Sequence, residues 1–270
     1  MIPAPQIIAS TLFLLVLIGS VKAQGGPSAE EYVRMAEEFN KKLERGNAVI
    51  HYEKAAIAFQ SAGNVEQFIN SYNQIGIILT RQDKYERARG YLDKALSTGL
   101  TSLGPDHLLV ATTYLSLGVV DAAENKFDES LVHHDKALKI RLSKLGTNSA
   151  EVATSYGNIG NVHFRRKDHD RAIEAHSKAK RIRAKVFGED SAQIVESYFN
   201  LGNAYREKRN YKRSLRYFEK ALKNKIGQLG EGHKDLVRYY RSISQVYSLM
   251  DNKPKADEYK SNGDEIEKRP

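Results

Sequence analysis

SAEVATSYGNIGNVHFRRKDHDRAIEAHSKAKRIRAKVFGED, residues 149–190, decides the fold, because versions of it recur every 42 residues along the chain. Gly76, Gly118, Gly160 and Gly202 stand 42 apart, and so do Gly104, Gly146, Gly188 and Gly230. A fixed period of this size marks stacked supersecondary units that share one long, thin core.

Each unit reads as a helical hairpin. Tyr156, Ile159, Gly160 and His163 are spaced i, i+3, i+4, i+7 and fall on one side of a first helix; Ala172, Ala175, Ala179 and Ile182 do the same on a second. Gly160 is expected opposite Ala172 and Ala179, where small residues let the helices approach. Between units, LGPD, LGTN, FGED and LGEG put a glycine where a helix ends, followed in three cases by Asp106, Asn148 or Asp190 as expected caps of the next helix.

Working outward, first helices are expected near 65–81, 107–123, 149–165, 191–207 and 233–249, and second helices near 84–102, 127–145, 169–187, 211–229 and 253–267. Ahead of them, 29–45 and 48–62 read as an irregular pair broken at Gly46-Asn47, which makes six pairs. The mostly charged last helix, with Gly263 in place of the usual Ala, offers no surface for another unit. Helix-forming residues dominate, Pro numbers six and no stretch alternates like a strand, so the fold class is all-α.

These residues carry a family resemblance. The leading aromatic (Tyr72, Tyr114, Tyr156, Tyr198, Tyr240), the marker (Gly76, Gly118, Gly160, Gly202, then Ser244) and the small residues of the second helix (Ala88, Ser130, Ala172, Ser214, Ala256; Ala95, Ala137, Ala179, Ala221, Gly263) resemble tetratricopeptide repeats of the 42-residue kinesin light chain kind. The resemblance implies a right-handed superhelical solenoid over 65–267 with a degenerate pair in 24–64 and a short tail at 268–270. The heptad coiled coil of kinesin light chains is missing, so their motor role is not carried over.

The compartment is read from residues 1–23. Ile7 to Val21 is uncharged and mostly apolar, and Val21-Lys22-Ala23 has the small-residue pattern of a signal-peptidase site, so export with cleavage after Ala23 is expected. The alternative is an uncleaved signal anchor, since about 20 apolar residues suffice to span a bilayer; only then would the chain be tied to a membrane. Cysteine is absent, which removes disulfides and thiol chemistry.

Subtracting the core face exposes a second face on each first helix, which the resemblance places in a concave groove. It carries Asn158, Asn161 and Arg165 in one unit and Asn200 and Asn203 in the next. Asn is a poor helix former, and its amide offers both a donor and an acceptor to an extended peptide backbone; the alternative use is bridging adjacent units. The family's clamp for a terminal carboxylate is matched at Asn161, Asn200 and Arg238, but Gly157 and Ser242 stand where a Lys and an Arg are expected, with Arg241 as a possible substitute for the latter. An internal polar or acidic peptide, or a partner protein presenting one, is therefore expected.

Charge supports an acidic partner. The chain carries +9, and residues 160–234 hold 19 Lys or Arg against nine Asp or Glu. Arg171, Lys178, Arg181 and Lys185 share one side of a second helix, as do Lys212, Arg216, Lys220 and Lys223 on the next, giving a basic convex face. Its readings are a solvated surface or a site for a sulfated glycan or matrix polyanion. Nucleic acid is not expected, because no aromatic platform for bases is evident.

Metal and catalysis find no motif. His133 and His134 are adjacent and point about 100° apart on a helix, His134 and His176 stand one period apart on second helices, and His163 occupies a core-face position; no metal or cofactor is expected. No nucleophile elbow, phosphate loop or isolated carboxylate pair occurs, so the expectation is a non-enzymatic binding protein.

Overall fold

A computed structural model describes residues 26–269; the expected signal segment, 1–23, lies outside them. Among the described residues there are twelve α-helices and no strand: α1 (Ala29–Lys41), α2 (Arg45–Ser61), α3 (Val65–Thr80), α4 (Tyr85–Ser102), α5 (Leu108–Ala123), α6 (Phe127–Leu145), α7 (Ala150–Arg165), α8 (His169–Phe187), α9 (Val195–Glu207), α10 (Tyr211–Leu229), α11 (Val237–Leu249) and α12 (Lys253–Glu267). Each odd helix pairs with the next even one, which gives the six expected hairpins. The first helices of neighbouring hairpins also touch (α3 with α5, α5 with α7, α7 with α9), whereas the second helices stand apart. The odd helices therefore line the inner, concave side of the solenoid and the even helices its outer side.

Two turns alternate, each with one left-handed residue. Inside a hairpin that residue is Asp83, Asn125, Lys167, Arg209 or Asp251, each 42 after the last. In the fourth hairpin the N–H of Lys167 donates to Phe164 O at 3.0 Å and that of Asp168 to His163 O at 2.9 Å; the Asp168 carboxylate then accepts from Arg171 N and starts α8. Between hairpins the left-handed residue is Gly104, Gly146, Gly188 or Gly230, with φ from 72° to 89°. A side chain is strained there, and glycine is not.

Three local expectations are corrected. The break in the first hairpin falls at Lys42–Glu44, with Leu43 left-handed (φ 62°), and Gly46 and Asn47 lie inside α2. Glu44 N closes on Phe39 O in the same turn geometry that Asp168 uses, so turn hydrogen bonding outweighed the helix-breaking tendency of Gly-Asn. Secondly, Asp106, Asn148 and Asp190 do not cap. The cap falls one residue later: Ser149 Oγ accepts from Val152 N, and His107 Nδ1 accepts from Leu109 N. The first helices of the fifth and sixth hairpins, α9 and α11, begin instead through 3-10 turns at Ala192–Ile194 and Lys234–Leu236.

 Thirdly, Gly160 lies against His176 rather than against Ala172 or Ala179: a Cβ on Gly160 would stand 2.7 Å from the imidazole.

That last contact is periodic. The marker glycines Gly76, Gly118, Gly160 and Gly202 meet Leu92, His134, His176 and Phe218, which also stand 42 apart. In the last hairpin the register partner is the exposed Lys260, and Ser244 replaces the glycine. Its hydroxyl donates to Ala256 O at 2.7 Å. In two earlier hairpins the polarity of this bond is reversed, with Ser130 Oγ donating to Gly118 O and Ser214 Oγ to Gly202 O.

The core follows the stack. Tyr198, Phe218, Leu236, Tyr239 and Ile243 fill the C-terminal end, and Tyr52, Ile75, Leu79 and Leu92 the N-terminal end. The middle hairpins pack smaller residues with buried polar ones, among them His134 and His176. On α12 only Ala256, Gly263 and Ile266 are buried, so its outer side ends the array in water.

Candidate functional site: the concave groove

Helical register places two rows of side chains along the groove. One row runs Gln74, Ser116, Asn158, Asn200, Ser242 and the next Ile77, Val119, Asn161, Asn203, Gln245, each residue 42 after its predecessor. Asn161 is exposed, while Asn158, Asn200 and Asn203 are half-buried. Asn200 Nδ2 donates to Asn161 Oδ1 at 3.3 Å, so these two amides bridge adjacent hairpins. Asn158 and Asn203 make no side-chain hydrogen bond among the described residues and keep their donors and acceptors open. Two of the four amides thus bridge adjacent hairpins and two are open.

The groove cations are largely engaged. Arg165 donates to Ala122 O and, at 3.0 Å, to Asn125 Oδ1, and stacks over Phe127. It clasps the turn of the preceding hairpin. Arg238 donates to Glu196 at 3.0 Å and to Tyr239 Oη at 2.9 Å, with its guanidinium 4.4 Å from the Phe199 ring centre. Burial lowers the Arg238 pKa, but the bonds to Glu196 and Tyr239 outweigh it and the net shift is upward. Arg241 is drawn to Glu267 of α12 at 2.6 Å. It occupies the register position at which Phe199, one hairpin earlier, packs on Tyr239 of the following one, so it faces the C-terminal end of the stack.

A feature missed in the sequence lies between α5 and α7. A cleft of about 430 Å³ is lined by Val119, Ala122, Ala123, Asn158, Asn161 and Phe164, among others. Val119 and Ala123 are one period before Asn161 and Arg165. That shared register was the available signal: the asparagine rows continue into an apolar floor.

Buried ionic groups brace the hairpins next to this cleft. Asp121 is 2% exposed at its side chain and accepts from Arg89 at 2.7 Å and His133 Nδ1 at 2.6 Å; Arg89 also reaches Glu124 at 2.6 Å. Burial raises the Asp121 pKa, and the His133 and Arg89 hydrogen bonds overcome it, so the carboxyl titrates below its ordinary value. Arg141 donates to Glu151 O and Ser155 Oγ, each at 3.0 Å, and Arg183 to Ser197 Oγ at 2.6 Å. These arginines bolt α6 to α7 and α8 to α9, and burial depresses the pKa of both.

On the outer side, Arg171 pairs with Asp168 at 3.4 Å, Lys178 with Glu174 at 2.7 Å and Lys220 with Glu189 at 3.4 Å. Arg181, Lys185, Lys212, Arg216 and Lys223 are exposed and form no ion pair among the described residues. Within those residues no group of three or more His, Asp or Glu is placed to hold a metal ion, and no helix is long and apolar enough to cross a membrane.

A stack of helical hairpins defines a helical-repeat solenoid. Within that class the chain belongs to the tetratricopeptide repeat family, whose profile matches residues 67–143 and 151–227, more than half of the sequence. Among solved structures it is similar to BtubC (BKLC) from P. vanneervenii, at 20% identity and a TM-score of 0.70 over 90% of this chain and 92% of that one. The nearly identical kinesin light chain-type repeats from Podosopora anserina align over 74% of this chain and 94% of theirs, at 14% identity and a TM-score of 0.65. The apo form of RapI aligns over 88% and 97%, at 15% identity and a TM-score of 0.60. At these identities the likeness is one of fold. A search of curated proteins found no match. Tetratricopeptide repeat proteins typically bind protein partners and act as scaffolds without catalysis.

Proposed function

We propose that the chain is an exported, non-catalytic scaffold that holds an extended segment of a partner protein in the concave groove over α5, α7 and α9. The observation that carries this reading is the pair of open amides, Asn158 and Asn203, on the half-buried inner face, with the cleft floored by Val119, Ala122 and Ala123 beside Asn158. An amide can donate to and accept from the backbone of an extended peptide, and an apolar cleft can take one of its side chains. The bound segment is polar, with one apolar residue at the cleft. Arg165, Arg238 and Arg241 already have partners, so an acidic segment is favoured through the field of the basic chain rather than by a free groove arginine.

Selection of unstructured peptides from a display library tests this reading. Peptides enriched on the chain should lose about tenfold in affinity with Asn158→Ala or Asn203→Ala, a loss of about 1.4 kcal/mol, at unchanged helicity. Enriched peptides indifferent to both substitutions, or none at all, would overturn the groove assignment. Export rests on the signal-like residues 1–23 and is tested separately: secreted chain beginning at Gln24 supports cleavage, whereas membrane-bound chain retaining Met1 supports the anchor.

A further inference from the structure

The outer face carries a second periodic pattern that owes nothing to the groove. Lys136, Lys178 and Lys220 stand 42 apart on α6, α8 and α10, and each ammonium lies over a tyrosine of its own hairpin: Tyr114 at 5.1 Å, Tyr156 at 5.5 Å and Tyr198 at 5.3 Å from the ring centres. Three residues further along each helix, hence beside the first set, come Lys139, Arg181 and Lys223. All three are exposed, and none forms an ion pair or side-chain hydrogen bond among the described residues. One hairpin earlier this position is Ser97, and one later it is Glu265, so the free row is confined to three successive hairpins.

We infer that the outer face of α6, α8 and α10 docks a linear sulfated polysaccharide, with Lys139, Arg181 and Lys223 as the free cations and Lys136, Lys178 and Lys220 as a seated row beside them. The second helices stand apart, so the rows cross the helices like rungs and match a chain with charge repeated along its length. Nearby carboxylates are Asp135, Glu174, Glu189 and Glu219; Glu174 and Glu189 are taken by Lys178 and Lys220, and neither Asp135 nor Glu219 pairs with the free row.

Two observations select this occupant. Protein interfaces carry an apolar centre, yet the exposed large apolar side chains of α6, α8 and α10 are Val132 and, at the C-terminal ends of α8 and α10 and away from the lysine rows, Val186, Phe187 and Leu229. Single-stranded nucleic acid needs open aromatic rings for its bases, and here Tyr114, Tyr156 and Tyr198 are covered by lysines. A sulfated polysaccharide needs neither, only spaced cations on a polar surface.

The test is binding of a size-defined heparin fragment to the purified chain at about 0.15 M salt. The variant Lys139→Ala/Arg181→Ala/Lys223→Ala should lose about tenfold or more in affinity, with a shallower dependence on salt because fewer counterions are released. A control of equal charge loss, Arg34→Ala/Lys41→Ala/Lys42→Ala, should stay within about twofold, and the desulfated fragment should not bind. Circular dichroism checks that both variants fold, as their exposed positions dictate. Equal loss in the control, wild-type flow-through at this salt, or single-stranded DNA binding as tightly as heparin would each overturn the assignment. Groove variants such as Asn203→Ala should leave heparin affinity unchanged, so this proposal and the peptide groove stand or fall separately.

Discussion

Gly160 and His176 meet in a close helix crossing of the fourth hairpin: a Cβ on the glycine would stand 2.7 Å from both Cε1 and Nδ1 of the imidazole. No ordinary carbon contact is that short, and His176 is itself buried. Gly160→Ala is therefore expected to destabilise the chain by about 1–3 kcal/mol through overpacking. In a double-mutant cycle with His176→Ala, urea midpoints should reveal coupling of about 0.5–3 kcal/mol. Simple additivity would mean that the two residues do not share the strain.

The same histidines make the middle of the solenoid sensitive to acid. Burial first, and then neighbouring His133 and Arg141, hold His134 down to about 4; burial and Arg183 hold His176 to about 4. Their folded values lie below the unfolded value, so the unfolded chain binds more protons between about pH 6.5 and 4. Stability is complete above that window and falls as pH drops through it, by up to about 3 kcal/mol per histidine. His134 Nδ1 is also buried without a partner. His134→Leu, copying Leu92 in the second hairpin, should raise stability at neutral pH by about 1 kcal/mol and reduce the acid loss by about half. Thermal melts from pH 7 to pH 4 check both.

Asp121 is the keystone of the third hairpin. Removing it leaves His133 without its carboxylate partner and Arg89 with Glu124 alone. Asp121→Ala is expected to cost about 3–5 kcal/mol, the range for breaking a buried pair from one side. Restoring length but not charge with Asn should recover only part of it. A loss below about 1 kcal/mol in chemical denaturation would show that the network is dispensable.

Lys167 and Arg209 adopt left-handed φ values of 63° and 56° in turns where other hairpins place Asp83, Asn125 and Asp251. A long side chain gains nothing in that conformation, whereas Asn and Asp tolerate it. Lys167→Asn and Arg209→Asn are each expected to stabilise by about 0.5–1 kcal/mol, and their effects should add because the turns are one hairpin apart. Denaturant midpoints of the two single variants and the double variant decide this.

Most helix boundaries were legible because the signals behind them are local. A period of 42, apolar spacing of i, i+3, i+4, i+7 and a glycine at each junction locate Phe127–Leu145 or Tyr211–Leu229 without reference to any distant residue. The misread helix break is one where two local signals compete. Gly46-Asn47 looked like a break, but the Glu44-to-Phe39 hydrogen bond sets the turn three residues earlier. The groove was legible as rows of residue types and not as contacts: Asn158 and Asn203 remain open, while Arg165 and Arg238 reach partners about 40 residues away.

By itself, then, the sequence determined that the chain is an all-α stack of six hairpins and which side chains share a helix face, since both follow from periodicity along one strand of peptide. Only the tertiary structure decided that Arg165 clasps Ala122 and Asn125, that Arg241 turns to Glu267, that His176 fills the space left by Gly160, and that Lys139, Arg181 and Lys223 stay unpaired. Such pairings depend on how far one hairpin is rotated and displaced against the next. A few ångströms at that junction separate an ion pair from a free charge.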